Sequence, residues 1–493
     1  MSLFSSLPVM SRIVQRFPSA LVLAILTFLA YTPNAFAVVK LPNLFGDGMV
    51  LQRDAKIPIW GSADPGEIIV VEFNESQETT EANSEGKWRV DLPPQKEGRS
   101  LELVVSASNK IVVKDVCVGE VWICAGQSNM SFPLKRALNA EKEIASANYP
   151  SIRFLTVPAQ ASETPMDDFD AHWRACSPQT ARELSAVAYY FGRDIGETLN
   201  CPVGLIVLAW GGSTAEAWTD QNKIAQYSDL ATLLEPKRLE KTAEHQKAGR
   251  LFNGMVFPVC PFAIRGVVWY QGESNANRAW QYRALFPLTI ANWRESWGQG
   301  DFPFYYVQLP NYMKAREKPS QSAWAELREA QHKTLAIRNV GEVVTVDAGD
   351  SNDLHPKNKE IVGTRLARLA LGKTYMRDVS YAGPEFRSMK IVDNKAILTF
   401  SNTGKGLKIL PNSQCDDTEL RGFAIAGKDK KFYWANAQIL GDEVVVSAPE
   451  APNPIAVRYA WADNPICNLG NDADLPASPF RTDDWVGVTV DSY

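Results

Sequence analysis

Ser128 is the residue whose place in the sequence most strongly suggests chemistry. It follows the apolar run 121–125 and then Gly126-Gln127, the pattern of a buried strand of a parallel sheet that stops at a polar turn. Ligands of open α/β sheets bind beyond the carboxyl ends of such strands. A serine after a glycine is more often a turn residue than a nucleophile, so this interpretation requires a base elsewhere in the chain.

His355 is the histidine that best fits the role of this base. A serine hydroxyl reacts as a nucleophile when a histidine takes its proton and a carboxylate orients the histidine. Asp353 lies two residues before His355, and in an extended segment residues i and i+2 face the same side. The spacing predicts a Ser-His-Asp arrangement for acyl transfer, although Asp353 would stand in the same place if it only capped a backbone amide. The other histidines fit surface or packing roles: His172, His245 and His332.

Acyl transfer also needs hydrogen-bond donors for the oxyanion that forms on the substrate. Two further apolar runs, 203–209 and 266–270, end in polar, glycine-rich turns that offer such donors. We expect an oxyanion hole made by the backbone N–H groups of Ser128 and Gly212 and by the side-chain amide of Gln271. A strand-end turn at Gly212 and a buried structural amide at Gln271 explain the same residues equally well.

The region between residues 116 and 374 contains the elements that must position these residues. Apolar runs of strand length alternate there with helical patterns such as 182–199, 284–297 and 359–371, which is typical of βαβ units around a parallel sheet. The carboxyl ends of parallel strands meet at one edge, so the polar turns should converge. The predicted fold class is α/β, with a parallel sheet between helical layers.

Short β runs separated by Gly, Pro, Asn and Ser flank this region on both sides. They predict β-rich, sandwich-like modules at 38–115 and 375–493. The catalytic domain is expected at 116–374, with a charged insertion at about 219–250.

The amino-terminal residues have the pattern of an export signal. Arg12 and Arg16 precede an apolar core at 20–30, and Ala35-Phe36-Ala37 has the form of a cleavage site. The core is too short to cross a bilayer. We predict a signal peptide at 1–37 and a periplasmic or secreted protein with no membrane span after cleavage.

The overall composition argues against several classes of function. The 493 residues carry a formal net charge of -5, which gives no basic footprint for a nucleic acid or an anionic membrane. The seven cysteines show no C-x-x-C spacing, which argues against a zinc ribbon or a thioredoxin-like redox site. We expect neither a metal nor an organic cofactor.

Four polar blocks follow one another along the chain: Gly126-Gln-Ser-Asn-Met130, Trp210-Gly-Gly-Ser213, Trp269-Tyr-Gln-Gly-Glu-Ser-Asn275 and Asp353-Leu-His-Pro356. In this order they resemble the blocks of the SGNH hydrolases, and more narrowly those of the sialate O-acetylesterase family. The similarity extends to Asn253-Gly-Met255, 458–463, 475–481 and the two β modules. It therefore covers nearly all of the chain after the signal.

The resemblance implies a three-layer SGNH-hydrolase domain and a serine esterase that removes O-acetyl groups from sialic acids. It implies that Ser128 is the nucleophile, that His355 is the general base and then acid, and that Asp353 orients the imidazole. It also places Gly212 and Gln271 at the oxyanion.

The third block departs from the broad SGNH pattern, because Gln-Gly-Glu stands where an asparagine is usual. Asn275 therefore competes with Gln271 for the donor role, and Glu273 is expected to brace the loop. We expect further substrate contacts from residues in or near the blocks: Asn129, Asn253, Glu273, Asn275 and Trp218.

Two other functions fit the same residues. A sialic acid carries a carboxylate, and no basic residue in the sequence can be assigned to it, so an acetyl-xylan or other glycan O-acetylesterase is the alternative enzyme. An exported glycan-binding protein is the non-enzymatic alternative, although such a protein would not need Ser128, Asp353 and His355 together. The expected partner in each case is an O-acetylated sugar or glycan.

Overall fold

A β-rich module forms the first part of the chain. The structure is a computed structural model that describes residues 38–412 and 418–492, so the predicted signal peptide lies outside the described residues. Buried and exposed residues alternate along these strands. In the fifth of them Trp88, Val90 and Leu92 are buried and the residues between them are exposed. The first six strands are β1 (Val50–Gln52), β2 (Ile57–Ser62), β3 (Ile68–Phe73), β4 (Ser76–Glu81), β5 (Lys87–Leu92) and β6 (Gly98–Ser106).

Strand β7 (Lys110–Gly126) connects this module to the central sheet. Its first half pairs antiparallel with β6, and its second half lies between two parallel strands. Every residue from Val116 to Gly126 is buried, as expected for a strand that is covered on both faces. The chain therefore crosses the predicted boundary at 115/116 within one strand, and the division into domains stays a prediction.

The central sheet is parallel over six strands. Its order is β13-β12-β11-β7-β10-β8-β9, and only the edge strand β9 runs antiparallel to its neighbour. The strand before the His355 loop ends at Val343. The new strands are β8 (Tyr149–Thr156), β9 (Arg174–Cys176), β10 (Val203–Ala209), β11 (Gly266–Tyr270), β12 (Phe304–Val307) and β13 (Val340–Val343).

Helices cover both faces of this sheet and confirm the α/β class. The helices are α1 (Ser128–Ser131), α2 (Ala140–Ser146), α3 (Pro178–Ala181), α4 (Ala186–Leu199), α5 (Gln221–Ile224), α6 (Pro236–Leu239), α7 (Ala279–Trp297), α8 (Ala323–Lys333) and α9 (Lys359–Lys373). Helices α4 and α9 pack on the face that contains Trp122 and Cys124, and α7 and α8 pack on the opposite face with Ile123. Helix α4 begins later than its apolar pattern predicts because Ser185 caps it by accepting the N–H of Ala188.

The carboxyl-terminal part is again β-rich, as predicted. Its strands form two four-stranded antiparallel sheets and one two-stranded sheet. They are β14 (Glu385–Val392), β15 (Lys395–Ser401), β16 (Leu407–Ile409), β17 (Phe423–Ala426), β18 (Phe432–Trp434), β19 (Asn436–Leu440), β20 (Glu443–Ser447), β21 (Ala456–Tyr459), β22 (Leu469–Asn471) and β23 (Phe480–Arg481).

Two searches of the described residues bear on membrane and metal binding. Among residues 38–412 and 418–492 no helix has the length and apolar character needed to cross a membrane. In the same ranges no three His, Cys, Asp or Glu side chains are grouped so that they could hold a metal ion.

Candidate active site

The carboxyl ends of three neighbouring strands lie side by side at one edge of the central sheet. Gly126 of β7 pairs with Ala209 of β10 and with Tyr270 of β11. The following turn continues this alignment, because Gln127 N–H donates to the carbonyl of Tyr270 at 3.0 Å. A Cβ at position 126 would collide with that carbonyl oxygen, so the close approach requires glycine. The predicted convergence of the polar turns is confirmed.

Ser128 and His355 are in direct contact at this edge. His355 Nε2 lies 2.8 Å from Ser128 Oγ, a distance suited to transfer of the hydroxyl proton. Ser128 is half-buried at the start of α1, and His355 lies in the loop between β13 and α9 with its side chain 30% exposed. Both reacting atoms therefore lie at the rim of the sheet rather than in the core.

One carboxylate oxygen of Asp353 serves two groups of His355. Asp353 Oδ1 accepts the backbone N–H of His355 at 2.8 Å and lies 3.6 Å from His355 Nδ1. The second distance is beyond hydrogen-bond range, so the carboxylate acts on the imidazole through its charge while it caps the backbone. Both interpretations of Asp353 that the sequence left open correspond to contacts in the structure.

The electrostatic surroundings of His355 favour its neutral form. Burial lowers the pKa of His355 below its ordinary value of 6.5, and the positive charges of Lys359 and Arg136 add to this effect. Asp353 acts in the opposite direction. A neutral imidazole at neutral pH is the form that can accept a proton from Ser128.

A buried amide connects the two reacting segments from behind. Asn129 Nδ2 donates to the carbonyl of Leu354 at 3.0 Å and to Glu273 Oε1 at 2.6 Å. Asn129 Oδ1 accepts from Lys359 Nζ at 2.5 Å. Asn129 and Lys359 have no solvent-exposed surface. The side chain of Asn129 therefore makes internal hydrogen bonds, and the expected contact of Asn129 with substrate stays a prediction.

Glu273 braces the third block, as expected. One of its carboxylate oxygens accepts from Asn129, and the other is buried without a partner among the described residues. Burial raises the pKa of Glu273. The further expectation that Glu273 contacts substrate stays a prediction.

Gln271, the predicted side-chain oxyanion donor, has its amide hydrogen-bonded inside the protein. Gln271 Nε2 donates to Asn275 Oδ1 at 2.7 Å and to the carbonyl of Ser213 at 3.3 Å. Asn275 Nδ2 in turn donates to Glu216 at 2.9 Å. Gln271 is fully buried and Asn275 is 1% exposed. Internal hydrogen bonds of this kind are usual for buried amides, and the oxyanion or substrate roles of Gln271 and Asn275 stay predictions.

The backbone N–H groups of Ser128 and Gly212 remain as the candidate oxyanion donors. Neither N–H has an acceptor within 38–412 or 418–492. The adjacent Gly211 lies close to the nucleophile, since a Cβ there would be 3.4 Å from Ser128 Cβ. Gly212 has a φ of 76°, which favours glycine. The turn therefore brings free backbone close to Ser128 without a side chain in between.

The insertion at about 219–250 supports this turn. Gln246 Nε2 donates to the carbonyl of Gly212 at 2.8 Å. The imidazole of His245 stacks on Trp210 with ring centroids 5.2 Å apart and an interplanar angle of 12°. The sequence suggested only a surface or packing role for His245. In the structure its ring lies beside the turn that contains Gly212.

Two other expected substrate contacts are also internal. Trp218 is fully buried, and its Nε1 donates to Ser213 Oγ at 2.9 Å. Asn253 Nδ2 donates to the carbonyls of Ser162 and Glu163 at 3.3 and 2.8 Å. The ring of Trp218 is thus enclosed, and the amide of Asn253 holds a neighbouring loop; the substrate contacts expected of both residues stay predictions.

Sequence reasoning missed two basic residues of the site. Lys359 is the first residue of α9, where a lysine is usually solvated. Its burial depends on contacts with Asn129, Phe132 and Tyr270. Arg136 lies in the short turn Leu134–Arg136, where its guanidinium carbon is 4.8 Å from the centroid of the Phe132 ring. No local pattern marks either residue as part of the site.

A parallel sheet that brings a serine and a histidine into contact at its carboxyl edge is the arrangement of a carboxylic ester hydrolase. Comparison with known proteins identifies the family within this class. The chain belongs to the carbohydrate esterase family of sialic acid-specific acetylesterases, whose family model matches residues 118–380.

Characterised relatives agree with this assignment. The sialate O-acetylesterases of Homo sapiens and Mus musculus are 28% and 29% identical to the chain, over 90% and 88% of its length and 92% of theirs. The crystal structure of a carbohydrate acetylesterase from Xanthomonas citri is 38% identical and has a TM-score of 0.84, covering 91% of this chain and 100% of that one. The family resemblance predicted from the four blocks is confirmed, and it supports hydrolysis of O-acetyl esters on glycans.

Proposed function

We propose that the chain is an exported serine esterase that removes O-acetyl groups from sialic acids through a triad of Ser128, His355 and Asp353. The observation that carries the proposal is the distance of 2.8 Å between Ser128 Oγ and His355 Nε2. The family and its sialate O-acetylesterase relatives supply the substrate class. Export rests on the signal pattern at 1–37 alone.

The reaction has two steps. In the first, His355 takes the hydroxyl proton while Ser128 Oγ bonds to the acetyl carbonyl carbon, and the N–H groups of Ser128 and Gly212 stabilise the oxyanion. The ester C–O bond then breaks, and His355 gives its proton to the departing sugar hydroxyl. In the second step His355 activates a water molecule, which releases acetate and restores Ser128.

Substitution of Asp353 by asparagine should lower kcat by about 10²-fold, less than the ~10⁴-fold loss of a triad whose aspartate is buried and hydrogen-bonded to the imidazole. The smaller effect follows from the distance of 3.6 Å and from the 43% exposure of the Asp353 side chain, which lets solvent screen its charge. Because Asp353 raises the pKa of His355, its loss lowers that pKa and moves the acidic limb of the pH–rate profile to lower pH. Steady-state acetate release measured from about pH 4 to 9, which includes the range over which histidine titrates, gives both effects.

Asp350→Asn is the matched control, because Asp350 is an exposed carboxylate three residues earlier in the same loop. It should leave kcat and the profile unchanged. Asp353→Asn retains an oxygen that can cap the backbone N–H of His355, whereas Asp353→Ala does not. Full activity of the asparagine variant together with a loss in the alanine variant would show that Asp353 acts only as a backbone cap.

Arg136 supplies the basic group that the sequence could not assign to a sialic acid. Its side chain is exposed and lies over the ring of Phe132, which is 6.4 Å from the His355 imidazole and nearly parallel to it. Among the described residues Arg136 has no carboxylate partner within 4.0 Å. A guanidinium that is unpaired beside an ester-cleaving histidine is suited to bind the carboxylate of an acidic sugar.

Arg136→Gln should therefore raise KM for an O-acetylated sialic acid by about 10- to 100-fold, since a hydrogen bond to a charged group contributes about 1.5–3 kcal/mol. KM for a neutral acetylated xylo-oligosaccharide should not change. Lys135→Gln is the matched control, because Lys135 carries the same charge one residue earlier but is paired with Glu183 at 2.7 Å. Equal effects of Arg136→Gln on both substrates, or better turnover of the neutral one by the unmodified enzyme, would favour a neutral acetylated glycan as substrate.

A further inference from the structure

Lys359 is a buried cation that the reaction scheme does not use. Its Nζ donates to Asn129 Oδ1 at 2.5 Å and lies over two aromatic rings, 4.9 Å from the centroid of Phe132 and 5.6 Å from that of Tyr270. Lys359 has no exposed surface, and in the described part of the chain no carboxylate approaches it within 4.0 Å. Removal of a lysine from water without an ion pair is costly, so its retention here calls for a functional reason.

The contact with Lys359 determines which way the Asn129 amide is turned. An amide has an acceptor end and a donor end, and the ammonium group can face only the oxygen. The nitrogen is thereby directed to the carbonyl of Leu354 and to Glu273 Oε1. Asn129 directly follows the nucleophile in the chain, and Leu354 directly precedes His355. One oriented amide therefore ties the segment of Ser128 to the segment of His355.

The charge of Lys359 also reaches the imidazole. No ion pair cancels it locally, and among the charged groups that face His355 it has the largest effect; the others are Asp353 in the same loop and Arg136 in the turn Leu134–Arg136. Burial lowers the pKa of Lys359 to about 7, with Glu273 and Asp353 acting in the opposite direction. The pKa of His355 is lowered from its ordinary value, whereas that of Lys359 stays above it. The cation is thus present over the range in which it can keep His355 neutral.

We propose that Lys359 is a positioning residue of the esterase reaction: it orients Asn129, which holds Ser128 and His355 at reacting distance, and its charge keeps the imidazole in the proton-accepting form. The inference rests on the proposed function, because it assigns Lys359 to the support of that same pair. Lys359 itself touches neither reacting atom and is not a catalytic residue.

Lys359→Met is the decisive variant. We expect kcat for acetate release to fall by about 10²-fold, the scale of a loss of reactive geometry, with KM changed by less than about 2-fold because the substrate-facing groups remain. The acidic limb of the pH–rate profile should move to higher pH, since His355 loses a cation that lowers its pKa. The thermal midpoint should change little, because methionine removes a buried charge but also leaves Asn129 Oδ1 without its donor. Lys357→Met, which removes an exposed lysine two residues earlier, is the matched control and should behave like the unmodified protein.

A titration that needs no substrate separates this inference from the proposed function. The chain has only four histidines, so the His355 imidazole can be followed by NMR and assigned with the His355→Gln variant. Its pKa should lie below 6.5 in the unmodified protein and should rise in Lys359→Met but not in Lys357→Met. An unmoved His355 titration, or an unchanged kcat in Lys359→Met, would overturn the inference and reduce Lys359 to a structural residue. Persistent activity of a Ser128→Ala variant would instead overturn the proposed function and leave the titration result standing.

Discussion

Replacement of Ser128 by alanine should reduce kcat/KM for acetate release from an O-acetylated sialic acid on the order of 10⁵-fold, because triad members act as a unit and only the remaining binding groups assist water. The fold should be retained, since Ser128 Oγ has His355 Nε2 as its hydrogen-bond partner and the substitution leaves no buried polar group unpaired. Acetate release at neutral pH and the thermal midpoint of the variant measure the two expectations.

Ser131→Ala is the matched control for this experiment. Ser131 is exposed on the same short helix and donates to the carbonyl of Ser128 at 3.3 Å, and its loss should leave most of the activity. An organophosphate reagent should label the unmodified protein and Ser131→Ala at Ser128, and should not label Ser128→Ala. If the folded, unmodified protein takes up no label and releases no acetate, an exported glycan-binding protein becomes the better interpretation.

Substitution of His355 by glutamine should have the second largest effect, a loss of kcat on the order of 10⁴-fold. Glutamine can donate a hydrogen bond at this position, but it cannot take the proton of Ser128 and return it to the leaving hydroxyl. The acidic limb of the pH–rate profile that belongs to His355 should disappear with the side chain. Measurement of acetate release across the histidine titration range tests the size of the loss and the change in the profile.

Two further variants make this prediction selective. His172→Gln removes a histidine whose side chain is 77% exposed, and it should leave kcat unchanged. The double variant of Ser128→Ala and His355→Gln should be no less active than Ser128→Ala alone, since one broken member already disables the pair. Multiplicative losses in the double variant would show that the two residues act independently and would contradict the triad.

The elements that position the site follow from local patterns. The apolar runs 203–209 and 266–270 have the same bounds as β10 and β11, because a central parallel strand is apolar throughout and stops at its polar turn. The spacing of Asp353 and His355 was also enough to select one histidine of four. These features need only the order of residues along the chain, so the sequence was sufficient for them.

The side chains of the third block show what local sequence patterns do not predict. Gln271 follows its strand at the expected place, yet its amide turns inward to Asn275 and Ser213. A surface donor and a buried structural amide have the same residue type and the same spacing. The choice between them depends on whether another segment offers buried hydrogen-bond partners, and the residues of the block do not indicate whether it does.

The sequence by itself determined the α/β class, the two β-rich flanks, the family and the identity of the serine and histidine that meet. Only the tertiary structure decided which groups surround that pair: it turned the Gln271 amide toward Asn275, placed Arg136 over the ring of Phe132 and buried Lys359 against Asn129. The physical reason is that hydrophobic periodicity and turn chemistry act between residues close in sequence. Desolvation and hydrogen-bond satisfaction depend on whichever distant segments pack together.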